Sequence, residues 1–480
     1  MTAHLIAGMI PVPPALEKIL LQTPELKQAY LVGGCVRDAL LENPCKDFDI
    51  EIFGLSYEEL VNALSRWGKT DLVGRSFGVV KLNAGDGHTF DFTIPRRDSK
   101  VAPGHKGFQV EFDSSLTPRE AATRRDFTIN SLMYDPRAKQ LLDFFRGVSD
   151  LKKKILRHTS SAFTEDPLRV LRGMQFAARF DLEVAPETIE LCRGIKSSYH
   201  ELAVERVREE WFKWAEKSAV PSRGLKFLVA TEWIEHFPEI KSLIDVPQEP
   251  EWHPEGDVFV HTCHCCDALV KLPEWKSADV DSRIVYSLAI LAHDFGKPAT
   301  THRAMKDGVE RIVSPGHDEV GGDLTETFLQ RIGTPLNIRE RVIPLVRNHL
   351  AHFDAISDRA LRRLAKRLEP ENINSLCVIM SADQFGRPPR PKIVSENVKN
   401  LLARACDLKI QARAPQPILM GRHLLELGIP PGKAMGNILH AALEAQLEGD
   451  FFNLPEALRW LESQNEFELA IEVREKLKQK

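Results

Sequence analysis

Hydrophobic and polar positions alternate in two short stretches of this chain, KDFDIEIF at 46–53 and HTFDFTI at 88–94. On a strand, Phe48, Ile50 and Ile52 share one face while Asp47, Asp49 and Glu51 share the other. Phe90, Phe92 and Ile94 likewise oppose Asp91 and Thr93. AYLVGG, VVKLNA and LLDFF predict further strands, and YEELVNALSRWG and DFTINSLMYD predict helices, so residues 28–150 form the strand-rich part. Residues 1–27 predict a short leading helical segment. From about 151 onward apolar residues fall three and four apart, as in LRVLRGMQFAARF and VREEWFKWAEK, which predicts helices. DVPQEPEWHPEGD (245–257) reads as a linker, GRPPRPK (386–392) as a second break, and LGIPPGKAMG (427–436) as an interruption in a helical tail.

The length of 480 residues suits three or four domains, and 43% hydrophobic with 28% charged residues is ordinary for a globular protein. No apolar run reaches membrane-spanning length, and the N-terminus lacks a basic-then-apolar signal pattern. Eight thinly spread cysteines predict a reducing, cytoplasmic setting with no disulfide framework. A net charge of −4 excludes a globally basic nucleic-acid binder. Local basic surface remains at LKKKILR (151–157) and at 386–413, which has seven Lys/Arg against two acids. Each is either an RNA contact or a solvated helix face.

Asp47 and Asp49 on one strand face repel each other, and a divalent cation would reverse that cost. Upstream, Gly33-Gly34 lets backbone approach a phosphate, and CVRDALL reads as a helix start. If the second alternating strand lies beside the first, Asp91 joins the pair. Three such carboxylates suit a two-metal phosphoryl or nucleotidyl transfer site, in which one cation activates a hydroxyl and the other holds a triphosphate. In TRRDFTINSLMYD (123–135), Arg124 and Arg125 suit phosphate, and Asp126 and Asn130 lie four apart on the expected helix. Asp166, Arg169 and Arg172 recur every three residues. They form either an intrahelical ion pair or a base reader. In the second case a carboxylate accepts from an exocyclic amine while a guanidinium donates to a ring acceptor, which admits C and A and rejects G and U.

GGCVRDALL with DFD, RRDFTIN and EDPLRVLR resemble the signature motifs of class II tRNA nucleotidyltransferases, the CCA-adding enzymes, and of their sister bacterial poly(A) polymerases. The resemblance spans roughly residues 28–240 in family order. It implies a head (28–150) with a small mixed sheet, then neck and body helices (151–245). It also implies addition of C, C and A to tRNA 3′ ends from CTP and ATP. By motif match Asp47 and Asp49 hold Mg²⁺, and Glu165, Asp166 and Arg169 form the template for the incoming base, with Arg172 beside them. Gly33, Gly34, Arg37, Asp38, Arg125, Asp126 and Asn130 surround triphosphate and ribose. Gln175 departs from the Arg of many relatives.

Eight of the sixteen histidines lie between His253 and His352. The adjacent pair His293-Asp294 can bind one metal, and Lys297 adds a positive charge for phosphate. The order His261, His293-Asp294, Asp383 resembles the HD metal-dependent phosphohydrolases, which are helical bundles acting on phosphate esters. His317 and His349 fall where two-metal members have extra ligands. The resemblance implies Ni²⁺, Mn²⁺ or Mg²⁺ there, and hydrolysis of 2′,3′-cyclic or 2′-phosphates by a water made acidic enough to attack. Cys263, Cys265 and Cys266 read as the apolar side of a helix. Residues 417–462 resemble the tail of CCA-adding enzymes that carry an HD domain, implicated in holding tRNA; the alternative is a helical hairpin closing the fold.

The expected architecture is therefore α+β. A leading segment (1–27) and head precede all-α neck and body, an HD-domain helical bundle (246–386) and a helical tail (387–480). Rival readings are a poly(A) polymerase, a partial CC- or A-adding enzyme, and a non-catalytic tRNA-binding protein.

Overall fold

The computed structural model describes residues 4–7, 10–45, 47–71, 78–84, 89–100, 108–351 and 357–464. His352 and the end of the expected tail, 465–480, lie outside the described residues. The chain divides into two compact units: residues 1–241 with 331–333, and 242–330 with 334–480.

The first unit contains strands β1 (His4–Ala7), β2 (Ala29–Val32), β3 (Asp49–Ile52), β4 (Lys69–Asp71), β5 (Val79–Asn83), β6 (Thr89–Thr93), β7 (Arg96–Lys100), β8 (Phe108–Phe112), β9 (Met133–Asp135) and β10 (Gln140–Asp143). Eight of them form one mixed sheet in the order β1-β10-β9-β2-β3-β6-β5-β4, and β7 and β8 pair separately. The β3–β6 pair is parallel, with Asp49 opposite Asp91 and Ile50 opposite Phe92. One face buries Phe48, Ile50, Ile52, Phe90 and Phe92 against Leu16, Ile19 and Leu20 of the helix Pro14–Gln22. Each such side chain contributes roughly 1.5–3 kcal/mol on burial. That leaves Asp49 and Asp91 on the opposite face, as the alternation requires.

Two local expectations fail. Residues 4–7 are a strand rather than part of a leading helix, because they find an antiparallel partner in Gln140–Asp143. Residues 126–135 are not a helix: a 3-10 turn over Thr128–Asn130 leads into β9, which pairs with both β2 and β10. Pairing with distant strands overrides the local pattern. Beyond the sheet, the helix Leu168–Phe180 packs on Val204–Lys217 and Pro221–Ala230. Gly173 makes room there, since a Cβ would come within 2.9 Å of the Phe227 ring.

In the second unit the helix Val258–Leu269 packs on Val280–Ala292 and Ile373–Phe385. Val280–Ala292 is apolar nearly all round and also packs on Leu336–Arg347, as suits a central helix. Asp257 and Asp279 cap the first two of these helices through Val260 N–H and Ser282 N–H, each at 2.8 Å. The bundle is not wholly helical. His302–Lys306 and Val309–Val313 form a hairpin around Asp307-Gly308, both with positive φ, which is the turn that an Asp-Gly pair favours. A separate apolar cluster in the tail holds Leu424, Ile438, Phe451 and Leu461.

Candidate functional site

A cavity of about 510 Å³ opens in the first unit. Eight arginines and Lys213 line it, against three carboxylates, Asp49, Asp126 and Asp166. Such a surplus of positive charge focuses a field suited to a polyanion. Gly33, with φ of +72°, precedes the helix Gly34–Leu40, and a Cβ there would meet an Arg125 Nη atom at 3.0 Å. Arg125 donates to the buried Glu51 carboxylate at 3.0 Å, and Arg124 lies 3.8 Å from its other oxygen. Arg37 donates to Asn130 Oδ1 at 2.6 Å and to Asp38 at 2.9 Å, its guanidinium 4.4 Å from the Phe180 ring centroid. Asn130 in turn donates to Asp126 at 3.0 Å, and Arg172 grips the other Asp126 oxygen at 2.7 and 2.8 Å. Burial alone would raise the Asp126 pKa, but Arg172 and Asn130 outweigh it and hold the carboxyl below its usual range.

Asp49 reaches the cavity and stays open to solvent on one side. Desolvation pushes its carboxyl above the ordinary value; Arg125 opposes this, and Asp91, Asp47 and Glu51 add to it. Asp47 is exposed and lies just before β3 rather than in it. Lys81 Nζ stands 3.6 Å from Asp91. The three carboxylates do not close into a tight triad: among the described residues, the groups of three or more ligand atoms all within 4.8 Å of one another lie elsewhere. A donor set of neighbouring carboxylates fits a hard divalent cation.

Those groups lie in the second unit. Asp294 is central: its Oδ2 is 3.3 Å from His293 Nε2, 3.7 Å from His261 Nε2 and 2.7 Å from Lys297 Nζ. Its Oδ1 is 3.4 Å from His317 Nε2. His261 Nε2 is also 3.0 Å from Asp383. The Nδ1 atoms of His293, His317 and His349 face the carbonyls of Ile290, Ser314 and Val346 at 2.6, 2.6 and 2.7 Å. A carbonyl only accepts, so these nitrogens carry hydrogen and each Nε2 turns inward. His317 and His349 meet Nε2 to Nε2 at 3.3 Å, which requires a proton or a metal between them. Buried His293 Nε2 has no hydrogen-bond partner. Desolvation and the neighbouring His293 and His317 push His349 down to about 3, leaving it neutral and ready to ligate. Burial alone would lower His261, but Asp383 and Glu255 hold it above its usual value. These donors fit a divalent transition metal.

The model of the Poly A polymerase head domain matches residues 29–157. Over 79% of this chain and 92% of its own length, the multifunctional CCA protein of Xanthomonas campestris pv. campestris (strain B100) is 33% identical. The multifunctional CCA protein of Cupriavidus metallidurans is 34% identical over 75% of this chain and 85% of its own. The chain belongs to the multifunctional CCA protein family. Among solved structures, the Bacillus stearothermophilus CCA-adding enzyme in complex with CTP superposes with a TM-score of 0.59 at 20% identity, covering 93% of this chain and 96% of its own. The Thermotoga maritima CCA-adding enzyme complexed with tRNA superposes at 0.56 and 20% identity, covering 94% and 95%. The shared fold is the nucleotidyltransferase head followed by helical domains. A nucleotidyltransferase of this kind needs a divalent metal, and no helix among the described residues is long and apolar enough to cross a membrane.

Set against the family motifs, Gly33, Gly34, Arg37, Asp49, Arg125, Asp126, Asn130, Asp166, Arg169 and Arg172 line one cavity. Glu165, Asp38, Asp47 and Asp91 are not part of its lining. Asp166 precedes its helix and caps Leu168 N–H at 3.1 Å, instead of lying on the helix face with Arg169. Arg169 donates to the carbonyls of Ala162 and Arg124 at 2.6 and 2.7 Å. The partner of Asp166 is Arg206, at 2.9 Å, from the helix Val204–Lys217. Arg96, Arg179, Arg206 and Lys213 are the lining cations that the motifs do not single out. Gln175 is buried in the lining with its Oε1 unpartnered.

The supposed linker 245–257 is a structured wall of the second site. Glu255 takes His261 Nδ1 at 2.7 Å and His253 Nδ1 at 2.9 Å on one oxygen. Burial would raise Glu255, but the two histidines hold it down to about 2. A carboxylate behind a ligand histidine fixes its tautomer and raises its basicity. Cys265 Sγ lies 3.3 Å from His261 Nε2 and groups with His261, His293 and Asp383 as a potential ligand; burial pushes its thiol well above the ordinary range, and it packs tightly on Gly386.

Proposed function

We propose that the first unit carries CCA addition: the tRNA 3′-hydroxyl attacks the α-phosphorus of CTP or ATP, the new phosphodiester forms, and pyrophosphate leaves. The observation that carries this reading is the arginine-lined cavity with Asp49 at its wall and Asp91 in register beside it. Mg²⁺, bound through Asp47, Asp49 and Asp91, would supply charge for the hydroxyl and the leaving group. Arg37, Arg124, Arg125 and Lys213 balance the triphosphate. Asp126 and Asn130 orient the ribose beside Gly33 and Gly34, with Asp38 fixing Arg37 from behind. Glu165, Asp166 and Arg169, with Arg172 beside them, read the base: a carboxylate accepts from the amine that C and A share, and a guanidinium donates to their ring acceptor. On this reading residues 28–150 are the head, 151–245 the neck and body, and 387–480 a tail that contacts tRNA. The 33% identity to a multifunctional CCA protein supports the assignment.

A second activity is favoured by the inward-turned histidines. His261, His293, Asp294 and Asp383, with His317 and His349, would hold a divalent metal within 246–386, and Ni²⁺, Mn²⁺ and Mg²⁺ are the candidates. The metal would activate water for phosphate-ester hydrolysis, with Lys297 attracting the phosphate.

The deciding experiment incubates tRNA lacking its 3′ CCA with CTP, ATP, GTP and UTP singly and then together, reading product length. The reading predicts growth by three nucleotides with CTP and ATP, and none with GTP or UTP. Open-ended growth with ATP alone indicates a poly(A) polymerase, CC or A alone a partial enzyme, and no growth a tRNA-binding protein.

A further inference from the structure

The second unit has a cavity of about 640 Å³, within the roughly 300–1,000 Å³ usual for small-ligand pockets. Its lining joins two dissimilar regions. One is the cluster containing Asp294, His317 and His349; the other is Trp252 with Lys306 of the hairpin. Trp252 is 37% exposed, unlike the fully buried Trp211, Trp214 and Trp233. Exposing an indole to water is unfavourable, and nothing in core packing requires it here.

The ring is nonetheless held in place. The backbone N–H of Trp252 donates to the Glu249 carbonyl at 3.0 Å, which fixes the turn that carries the ring. The Glu249 carboxylate takes Ile312 N–H at 3.0 Å and Arg311 at 3.2 Å, and Arg311 also meets Glu251. The Arg311 guanidinium sits 5.3 Å from the indole centroid and Lys306 Nζ 5.8 Å. Cations at this distance polarise and position an aromatic face. Gln248 of the same segment accepts from Lys297 at 2.7 Å, and Lys297 also meets Asp294. The segment carrying the indole is thus tied at one end to the hairpin and at the other to the histidine cluster.

We infer that Trp252 is a stacking platform for the base of a nucleoside phosphate whose phosphate lies at the histidine cluster. This rests on the reading of the cluster as a phosphohydrolase centre. Base–aromatic stacking tolerates any base, because every base has a π-face. The platform therefore selects nucleotides over base-free phosphate esters without reading sequence.

The test compares wild type, Trp252→Ala and Trp252→Phe on adenosine 2′-phosphate and on glycerol 2-phosphate, which has no base. Binding of adenosine 2′-phosphate to metal-free protein is measured by calorimetry in parallel. The inference predicts that Trp252→Ala raises KM for adenosine 2′-phosphate roughly 5- to 100-fold with kcat retained. Glycerol 2-phosphate turnover should be unchanged, and Trp252→Phe should recover most of the loss. Metal-free Trp252→Ala should bind adenosine 2′-phosphate weaker by a similar factor. Equal losses on both esters, or no loss on either, overturn the platform. Should wild type hydrolyse neither ester, the phosphohydrolase reading falls and the calorimetry decides alone: weakened binding in Trp252→Ala supports the platform, while unchanged or absent binding overturns it.

Discussion

Replacing Asp49 with alanine should move activity and stability in opposite directions. Asp49 faces Asp91 across the parallel β3–β6 pair, and Asp47 is close enough to push its carboxyl upward. Like charges directly opposite in a sheet cost about 0.2–1 kcal/mol. Arg125 keeps its own partner in Glu51, so no buried cation is stranded by the substitution. Asp49→Ala should therefore leave the first unit as stable as wild type or stabilise it by up to about 1 kcal/mol, a rise of roughly 2–4 °C for a unit of this size. Nucleotide addition should fall at least ~10³-fold, because a cation's stabilisation of the transferring phosphoryl group is worth several kcal/mol. The assay is single-turnover extension of tRNA lacking CCA, with calorimetric unfolding of the same preparation. A rate within tenfold of wild type would refute the role given to Asp49. A matching fall in both rate and Tm would refute the electrostatic argument.

Asp294→Ala should do the converse, abolishing phosphate-ester hydrolysis while tRNA extension continues at the wild-type rate in the same preparation. Glu255→Gln should weaken metal binding to the second unit roughly 10- to 100-fold by titration calorimetry without changing nucleotide addition, since its carboxylate stands behind His261, a ligand in the proposed metal centre. Asp126→Ala strands Arg172 and should destabilise the first unit by roughly 3 kcal/mol in urea unfolding. The folded pKa of Asp126 lies below its unfolded value near ~3.9. Its stabilisation is therefore complete above that pH and lost as pH falls through the folded value, and Asp126→Asn should flatten this acid limb.

The two alternating strands were readable because each buries one face, and a period of two cannot be mistaken when Phe48, Ile50 and Ile52 must all turn inward. That β3 and β6 are parallel neighbours was only a condition in the sequence, since strand order depends on contacts far apart in the chain. The same blindness hid β1 and turned 126–135 into an expected helix, although its Asp126–Asn130 spacing survives as a hydrogen bond across a 3-10 turn. Arg206 was invisible because it reaches Asp166 from another helix. Proline and acid content made 245–257 look like a linker. The available signals were a tryptophan in a polar loop and a Glu255 poised shortly before His261. The hairpin 302–313 did carry a local signal, the Asp307-Gly308 pair between residues with strand propensity.

The most direct measurement is anomalous diffraction from crystals of the protein grown with Mn²⁺ and a non-hydrolysable CTP analogue. Density for the ion bridging Asp47, Asp49 and Asp91, with the triphosphate laid along Arg37, Arg124 and Arg125, is the predicted result. Nucleotide bound in that cavity with no ion at those carboxylates would contradict it.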